Sequence, residues 1–362
     1  MKKEKPTTKL CKYCQTEIPY DAKICPQCRH KVKGGKLKWI IIGIIAIMIV
    51  GSLAGGSNKD TTEKIGEVSK EDTNSDSVNE TTVDNAEQVD QEDVKTVYHV
   101  GDILKDGDMQ IVYMSSGEHT TDNEFLQPAE GNKYIYIQLA FENTSTDTDL
   151  AVSSFSFECY ADGYNSDAYY GEDDTLGSTL SPGRSASGYL YFEVPEDAEN
   201  IEIEYETNFF TEKKVTFAFD GDQDSGYVLE GNSTATEGAA HVGETVESKQ
   251  LNITYTSCFR DESDNMFIEP KDGYHFVTCE FEFENVSDSD ESVSMYDFDC
   301  YADGIDCQAS YFRDDNISAT LSAGRKAKGT VTFEVPDDAQ VVEVEYVSNI
   351  WTSDRVVFSV EE

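Results

Sequence analysis

The sequence predicts a mainly β protein with two tandem β-sandwiches, preceded by a small zinc ribbon, one transmembrane helix and a disordered acidic linker. Three observations predict this organisation: four closely spaced cysteines, an uncharged run of 20 residues, and a long internal repeat with two-residue alternation. The predicted segments are the zinc ribbon at 8–32, the helix at 37–56, the linker at 57–97, repeat 1 at 98–219, a second linker at 220–239 and repeat 2 at 240–362.

Charge is distributed unevenly along the chain. Residues 1–38 contain 11 of the 28 Lys/Arg but 3 of the 71 Asp/Glu, so residues 39–362 carry a formal charge of −51. Such an asymmetry indicates that the two parts lie in different compartments. The acidic part should repel nucleic acid, which makes nucleic acid an unlikely partner.

The zinc ribbon is predicted from Cys11, Cys14, Cys25 and Cys28. Two Cys-x-x-Cys pairs present four thiolates, the ligand set of a structural tetrahedral Zn²⁺ site. A redox Cys-x-x-Cys would need one pair in a βαβ context, and neither condition is met. The stretch 11–28 resembles the short zinc-ribbon family found at the N-terminus of many bacterial membrane proteins, although Gln15 and Arg29 replace the usual glycines.

A transmembrane helix is predicted from the uncharged run Trp39–Asn58, whose apolar core is long enough to cross a bilayer. Five basic residues precede it: Arg29, Lys31, Lys33, Lys36 and Lys38. They place the N-terminus in the cytoplasm and should attract anionic lipid headgroups. Signal-peptide cleavage near Ser52–Ala54 is the alternative. Residues 57–97 contain no aromatic side chain and are predicted to form a disordered acidic stalk.

The outer region is an internal repeat of about 120 residues per unit. The motif at 99–102 returns at 241–244, an offset of 142, and Cys159–Gly163 returns as Cys300–Gly304, an offset of 141. The pattern Leu-Ser-x-Gly-Arg occurs at 180–184 and 321–325, and Phe-Glu-Val-Pro occurs at 192–195 and 333–336. The two units are therefore predicted to be whole domains that fold independently.

Each unit has the pattern of a β-sandwich. Apolar residues alternate with more polar ones along 134–141 and 277–284, which predicts strands with one buried and one wet face. Asp162-Gly163 and Asp303-Gly304 predict two-residue hairpin turns. About seven short strands are expected in each unit, with no amphipathic helix.

A second resemblance concerns these repeats. They resemble secreted, immunoglobulin-like domains of unknown function related to a mycobacterial immunoprotective extracellular antigen. The shared features are Val100-Gly101-Asp102, Gly131 before a long strand, Glu142-Asn143 at its end, and a turn at Pro182-Gly183 before Phe192-x-Val194-Pro195. The resemblance implies an immunoglobulin-like fold and a cell-envelope location, and it supplies no catalytic residues.

A disulfide between Cys300 and Cys307 is a candidate, because a turn at Asp303-Gly304 places these residues opposite each other. The alternative is that both remain buried thiols. No nucleophile, zinc-protease or phosphate-loop motif occurs, so no enzyme is predicted. The preferred hypothesis is a membrane-anchored envelope protein that binds or senses an external protein or cell-wall ligand. A spacer without ligand and an accessory to a cell-wall enzyme are the alternatives.

Overall fold

The structure is a computed structural model, and it describes residues 8–10, 17–19, 62–68, 96–121, 123–172, 174–208, 213–263, 268–349 and 354–361. The chain divides into two units, 1–56 and 57–362. In the first unit, strands Thr8–Leu10 and Glu17–Pro19 pair antiparallel. The second unit contains both repeats.

The strands are numbered in chain order. They are β1 Thr8–Leu10, β2 Glu17–Pro19, β3 Glu63–Glu67, β4 Val97–Tyr98, β5 Asp102–Asp106, β6 Met109–His119, β7 Asn132–Asn143, β8 Leu150–Ser153, β9 Phe157–Ala161, β10 Tyr164–Tyr169, β11 Gly177–Leu180, β12 Ser185–Pro195, β13 Ile201–Asn208, β14 Lys213–Ala218, β15 Gln223–Asp224, β16 Thr245–Glu247, β17 Leu251–Asp261, β18 Tyr274–Asn285, β19 Glu291–Ser294, β20 Phe298–Ala302, β21 Ile305–Asp306, β22 Ala309–Ser310, β23 Ser318–Leu321, β24 Lys326–Pro336, β25 Val342–Asn349 and β26 Asp354–Ser359. Short 3₁₀ turns occupy Ser154–Ser156 and Met295–Asp297.

Each repeat consists of two packed sheets. In repeat 1 one sheet has the order β3-β5-β6-β7-β12-β10 and the other β9-β13-β14-β4, and β10 pairs with both sheets. In repeat 2 the corresponding sheets are β16-β17-β18-β24-β22 and β21-β20-β25-β26. The small hairpins β8–β11 and β19–β23 complete the two domains. The predicted mainly β fold is therefore confirmed.

The two-residue alternation identifies the cores. Ile135, Ile137, Leu139 and Phe141 of β7 are fully buried. Their counterparts in β18 are Val277, Cys279, Phe281 and Phe283, which are equally buried. Side chains on one side of a strand share one environment, so these residues face the opposing sheet. The opposite faces were expected to be wet, yet Tyr134 and Thr278 are also buried, because a chain segment after β10 or β22 lies over each face.

Two glycine requirements recur in both repeats. Asp162 and Asp303 have φ of 49°, and Gly163 and Gly304 have φ of 81°, which is the positive-φ pair of the predicted hairpin turn. A Cβ on Gly188 would lie 2.7 Å from Leu176 Cα, and one on Gly329 would lie 2.6 Å from Ile317 Cα. Glycine at these two strand positions therefore allows the covering segments to approach the sheets.

The predicted linkers contain ordered pieces. Within 57–97, β3 pairs antiparallel with β5, and Lys64 forms an ion pair with Asp102 at 2.6 Å. The expectation of disorder for this piece was wrong, because a strand at a sheet edge is held by backbone hydrogen bonds that low hydrophobicity does not prevent. Within 220–239, β15 pairs with β6.

The two repeats share a buried junction. The Arg184 guanidinium of repeat 1 lies 2.6 Å from Glu343 and 2.7 Å from Glu345 of repeat 2. Arg184 also stacks 4.7 Å above the ring of Tyr301, whose hydroxyl donates to the Thr179 carbonyl at 2.8 Å.

Further contacts lie on both sides of this pairing. Ser181 Oγ donates to Glu345, and Arg355 of repeat 2 pairs with Asp149 of repeat 1. Glu343 and Glu345 alternate with core residues and were expected on a wet face, but they are 1% and 3% exposed. The repeats are consequently not independent of each other, because each supplies one half of this junction.

Candidate functional site

An exposed pair of aromatic rings lies at the surface of repeat 1. Ser153 Oγ accepts a hydrogen bond from the Phe155 backbone and so starts the 3₁₀ turn that presents this side chain. Tyr170 follows the last residue of β10, and its ring lies 5.5 Å from that of Phe155. The two residues are 56% and 55% exposed. We call them aromatic pair 1.

Repeat 2 carries a second pair at the equivalent positions, 141 residues further on. Ser294 caps the 3₁₀ turn reciprocally with Asp297, and this turn presents Tyr296. The Tyr296 ring lies 5.7 Å from that of Tyr311, and these residues are 72% and 53% exposed. We call them aromatic pair 2. Exposed apolar clusters mark interaction sites when they are not scattered singly, and these two recur on the same local scaffold.

The outer sheet face of repeat 1 is rich in tyrosine. We define the tyrosine face as Tyr134, Tyr136, Tyr169, Tyr189 and Tyr191. Tyr134 and Tyr169 stack with ring centroids 4.2 Å apart. His119 lies 4.7 Å from the Tyr191 ring and 2.9 Å from Glu172, and Tyr191 donates to Asp174 at 3.0 Å. Burial raises the pKa of Tyr191, so the hydroxyl remains protonated and acts as a donor.

The same face of repeat 2 is polar. We define the threonine face as Thr278, Thr330 and Thr332, with Asp261, Arg313 and Asp315 around them. Arg313 donates to Asp261 at 2.7 Å and to Asp315 at 2.8 and 3.0 Å, and Thr278 donates to Asp261 at 2.8 Å. Burial acts to raise the pKa of Asp261, but the hydrogen bonds from Thr278 and Arg313 hold it below its usual value.

Two neighbouring carboxyl groups of repeat 2 lie at the junction. Burial and the nearby Glu345 raise the pKa of Asp299 to about 7. Burial and the charge of Asp299 raise the pKa of Asp306 to about 8, while a hydrogen bond with Ser178 of repeat 1 opposes this shift. The corresponding residues of repeat 1 are Glu158 and Asn165, which form a hydrogen bond of 2.9 Å. The carboxyl pair is therefore peculiar to repeat 2.

A polar cleft of ≈ 470 Å³ also lies at the junction. Its walls include Ser181, Arg184, Thr236, Glu345 and Arg355. Arg184 and Arg355 both pair with Glu345 there. The charged groups of the cleft thus satisfy one another, and they hold the repeats together rather than face a ligand.

The predicted disulfide residues are brought together. Cys300 and Cys307 flank the predicted turn, and the Cys307 N–H donates to the Cys300 carbonyl at 2.8 Å. Both are buried thiols in this structure, so the bridge stays a prediction. Burial raises the pKa of Cys300, which disfavours the reactive thiolate. A second pair was missed from the sequence: Cys258 and Cys279 are opposite in the β17–β18 ladder with sulfur atoms 3.4 Å apart.

The predicted zinc ligands Cys11, Cys14, Cys25 and Cys28 and the predicted membrane helix at 37–56 lie outside the described residues. Across the described ranges there is no group of three or more His, Cys, Asp and Glu arranged to hold a metal. No helix in the described part of the chain is long and apolar enough to cross a membrane.

The architecture defines a tandem β-sandwich protein. A family model for a domain of unknown function, DUF4352, matches residues 98–215 and 240–356, so the chain belongs to the DUF4352 family. The two matches coincide with the repeats predicted from the sequence. This is not an enzymatic family, and no curated protein sequence matches the chain significantly.

Several solved structures are similar to parts of the chain. A putative lipoprotein, ycdA, from Bacillus subtilis is 24% identical over 31% of this chain and 36% of its own, with a TM-score of 0.26. The chain thus spans about a third of that protein. The yjhA protein of Bacillus subtilis is 16% identical over 34% of this chain and 99% of its own (TM-score 0.29). The secreted MPT63 of Mycobacterium tuberculosis is 11% identical over 34% and 99% (TM-score 0.27).

Sequence reasoning missed both aromatic pairs, although a signal existed. Aromatic residues recur at offset 141 at both positions of each pair, Phe155 with Tyr296 and Tyr170 with Tyr311. An aligned repeat shows the recurrence but not the exposure. Exposure depends on the serine-capped turns, which only the structure reveals.

Proposed function

We propose that the protein is a non-enzymatic, membrane-anchored protein of the cell envelope whose two outer repeats bind an external ligand through aromatic pairs 1 and 2. The observation that carries this proposal is the recurrence of an exposed ring pair on equivalent, capped 3₁₀ turns. A pure spacer would have no need for exposed apolar rings at the same position of both domains.

The ligand class follows from ring chemistry and charge. Adjacent exposed rings offer flat apolar surfaces, on which sugar rings and nucleic-acid bases both stack. The formal charge of −51 on residues 39–362 opposes phosphate-rich partners. Glu158 lies near Tyr170 and Asp299 near Tyr311, so each pair also has a carboxyl group beside it. We therefore propose a neutral glycan of the cell wall as the ligand.

Co-sedimentation with insoluble chitin, a neutral glycan, tests this proposal. The full-length chain in detergent should pellet with chitin, and the double variant Phe155→Ala/Tyr170→Ala should bind several-fold more weakly. Substituting Tyr296 and Tyr311 as well should abolish binding, because two linked sites reinforce each other. The control is Tyr164→Ala, since Tyr164 is 79% exposed but aligns with Ile305.

Two outcomes would reject the glycan proposal. One is wild-type protein that stays in the supernatant at every chitin load, and the other is a quadruple variant that pellets like the wild type. The first outcome would favour the spacer alternative. Chitin cleavage by the wild type would favour an enzymatic role, with Asp299 and Asp306 as the first residues to substitute.

The anchor and the zinc ribbon are part of the same proposal, and the sequence patterns described above support them. External protease should reduce the protein on intact cells to a membrane-bound N-terminal fragment, whereas release of 55–362 without protease would indicate signal-peptide cleavage. Elemental analysis should find one zinc per full-length chain, and Cys25→Ser should abolish it. Undiminished zinc in that variant would exclude the four-cysteine assignment.

A further inference from the structure

The junction between the repeats has two complementary halves. Repeat 1 supplies the donor half, defined as Asp149, Thr179, Ser181 and Arg184. Repeat 2 supplies the acceptor half, defined as Tyr301, Glu343, Glu345 and Arg355. These eight residues form the ion pairs and hydrogen bonds of the junction. Since the repeats are homologous in sequence, each of them should also contain the half that it does not use here.

Repeat 2 does contain a donor half. At offset 141 its residues are Asp290, Thr320, Ser322 and Arg325, which match Asp149, Thr179, Ser181 and Arg184 in side-chain type at every position. All four are exposed, whereas Ser181 is 5% exposed. The backbone is the same as well, because the Arg325 N–H donates to the Ser322 carbonyl just as the Arg184 N–H donates to that of Ser181.

Repeat 1 contains an acceptor half. Its residues are Tyr160, Glu202, Glu204 and Lys214, which match Tyr301, Glu343, Glu345 and Arg355. Lys214 pairs with Glu204 at 2.8 Å, as Arg355 pairs with Glu345 at 3.3 Å. Tyr160 is half-exposed, whereas Tyr301 is 1% exposed and packs against the core of repeat 1. The acceptor surface of repeat 1 is thus built like the buried one but lies open.

We propose that these two open halves bind each other between copies of the chain, so that repeat 2 of one copy docks on repeat 1 of the next. The charges are complementary in the required sense: Arg325 would face Glu202 and Glu204, and Asp290 would face Lys214. Such a contact joins different surfaces of the two partners, so it does not close a dimer but continues head to tail. The occupant of each surface is a second copy of this chain, because the junction already shows how the surfaces fit.

Sedimentation velocity of the full-length chain in detergent, at about 0.15 M salt to screen long-range repulsion, tests the proposal. Wild-type protein should form species larger than a dimer as its concentration rises to about 200 μM, since the contact lacks the effective concentration that the linker gives it within the chain. Arg325→Glu and Tyr160→Ala should each weaken self-association at least tenfold. Lys271→Glu, at the opposite end of the 12-residue β18, is the control and should associate like the wild type.

The decisive experiment mixes the two defective variants. The Arg325→Glu chain keeps its acceptor half and the Tyr160→Ala chain keeps its donor half, so a mixture should form one-to-one dimers and nothing larger. Should Tyr160→Ala prove unstable, Lys214→Glu replaces it, because Lys214 is exposed. The proposal is overturned if the wild type stays monomeric throughout, if Arg325→Glu associates undiminished, or if the mixture remains monomeric.

Discussion

The two repeats share their strand register, yet equivalent surfaces have different chemistry and different neighbours. The outer sheet face is lined by stacked tyrosines in repeat 1 and by threonines and an arginine–aspartate network in repeat 2. The glutamates of β13 are partly exposed, whereas those of β25 are buried against Arg184. The comparison teaches that the shared pattern determines the sandwich, while the position of a repeat in the chain determines which of its surfaces is covered. The aromatic pairs are the exception, since both remain exposed.

The largest expected difference between the repeats concerns their equivalent arginines. Arg184→Ala should destabilise the protein by about 3–5 kcal/mol, because Glu343 and Glu345 would remain buried without their counter-charge. Arg325→Ala, at the exposed counterpart, should change the free energy of unfolding by no more than about 0.5 kcal/mol. Chemical denaturation measures both, and equal effects of the two substitutions would show that the junction does not form as described.

The cysteines provide a second difference. Cys159 has Ser166 opposite it in repeat 1, whereas repeat 2 aligns Cys258 with Cys279 and Cys300 with Cys307. Mild oxidation should join Cys258 to Cys279 first, because their sulfur atoms are already 3.4 Å apart, and should stabilise the protein by about 2–3 kcal/mol.

Non-reducing mass spectrometry should then find a loss of two daltons that Cys258→Ser removes. The same spectra test the predicted Cys300–Cys307 bridge. Complete alkylation of all four thiols in oxidised protein before any reduction would exclude both bridges.

The fold was largely predictable because alternation and turn chemistry are local properties. Ile137, Phe281 and the turn at Asp303-Gly304 lie where the pattern placed them. The junction was not predictable, since Glu343 has the same local sequence pattern as Glu202 but is buried by a surface from another domain. The aromatic pairs lie between these cases: their recurrence is visible in the sequence, but their exposure is a tertiary property.

A pH effect should distinguish Asp306 from its counterpart Asn165. A carboxyl group whose pKa is higher in the folded than in the unfolded state lowers folding stability as the pH rises between the two values. For Asp306 the ordinary value is 3.8 and the folded value about 8, so the penalty begins near pH 4 and is complete above about pH 8.

Asp306→Asn, which copies repeat 1, should therefore raise the free energy of unfolding by on the order of 2 kcal/mol at pH 9 and by much less at pH 4. Urea denaturation at both pH values measures this difference. The groups around Asp306 and Asp299 are Ser178, Asp149, Glu345 and Arg355. A gain of equal size at pH 4 and pH 9 would show that packing rather than ionisation is responsible.

The smallest expected difference concerns the outer faces. Tyr191→Phe removes a hydrogen bond of 3.0 Å to Asp174 and should cost about 1 kcal/mol, because it leaves a part-buried carboxylate without this donor. Thr332→Val, at the equivalent position, should cost less, because Thr278 keeps its hydrogen bond to Asp261 at 2.8 Å. Thermal unfolding of both variants under identical conditions would measure the difference. If Thr332→Val proved the more damaging change, the threonine face would be the more tightly coupled network, and the tyrosine face would be held mainly by ring packing rather than by its hydroxyl groups.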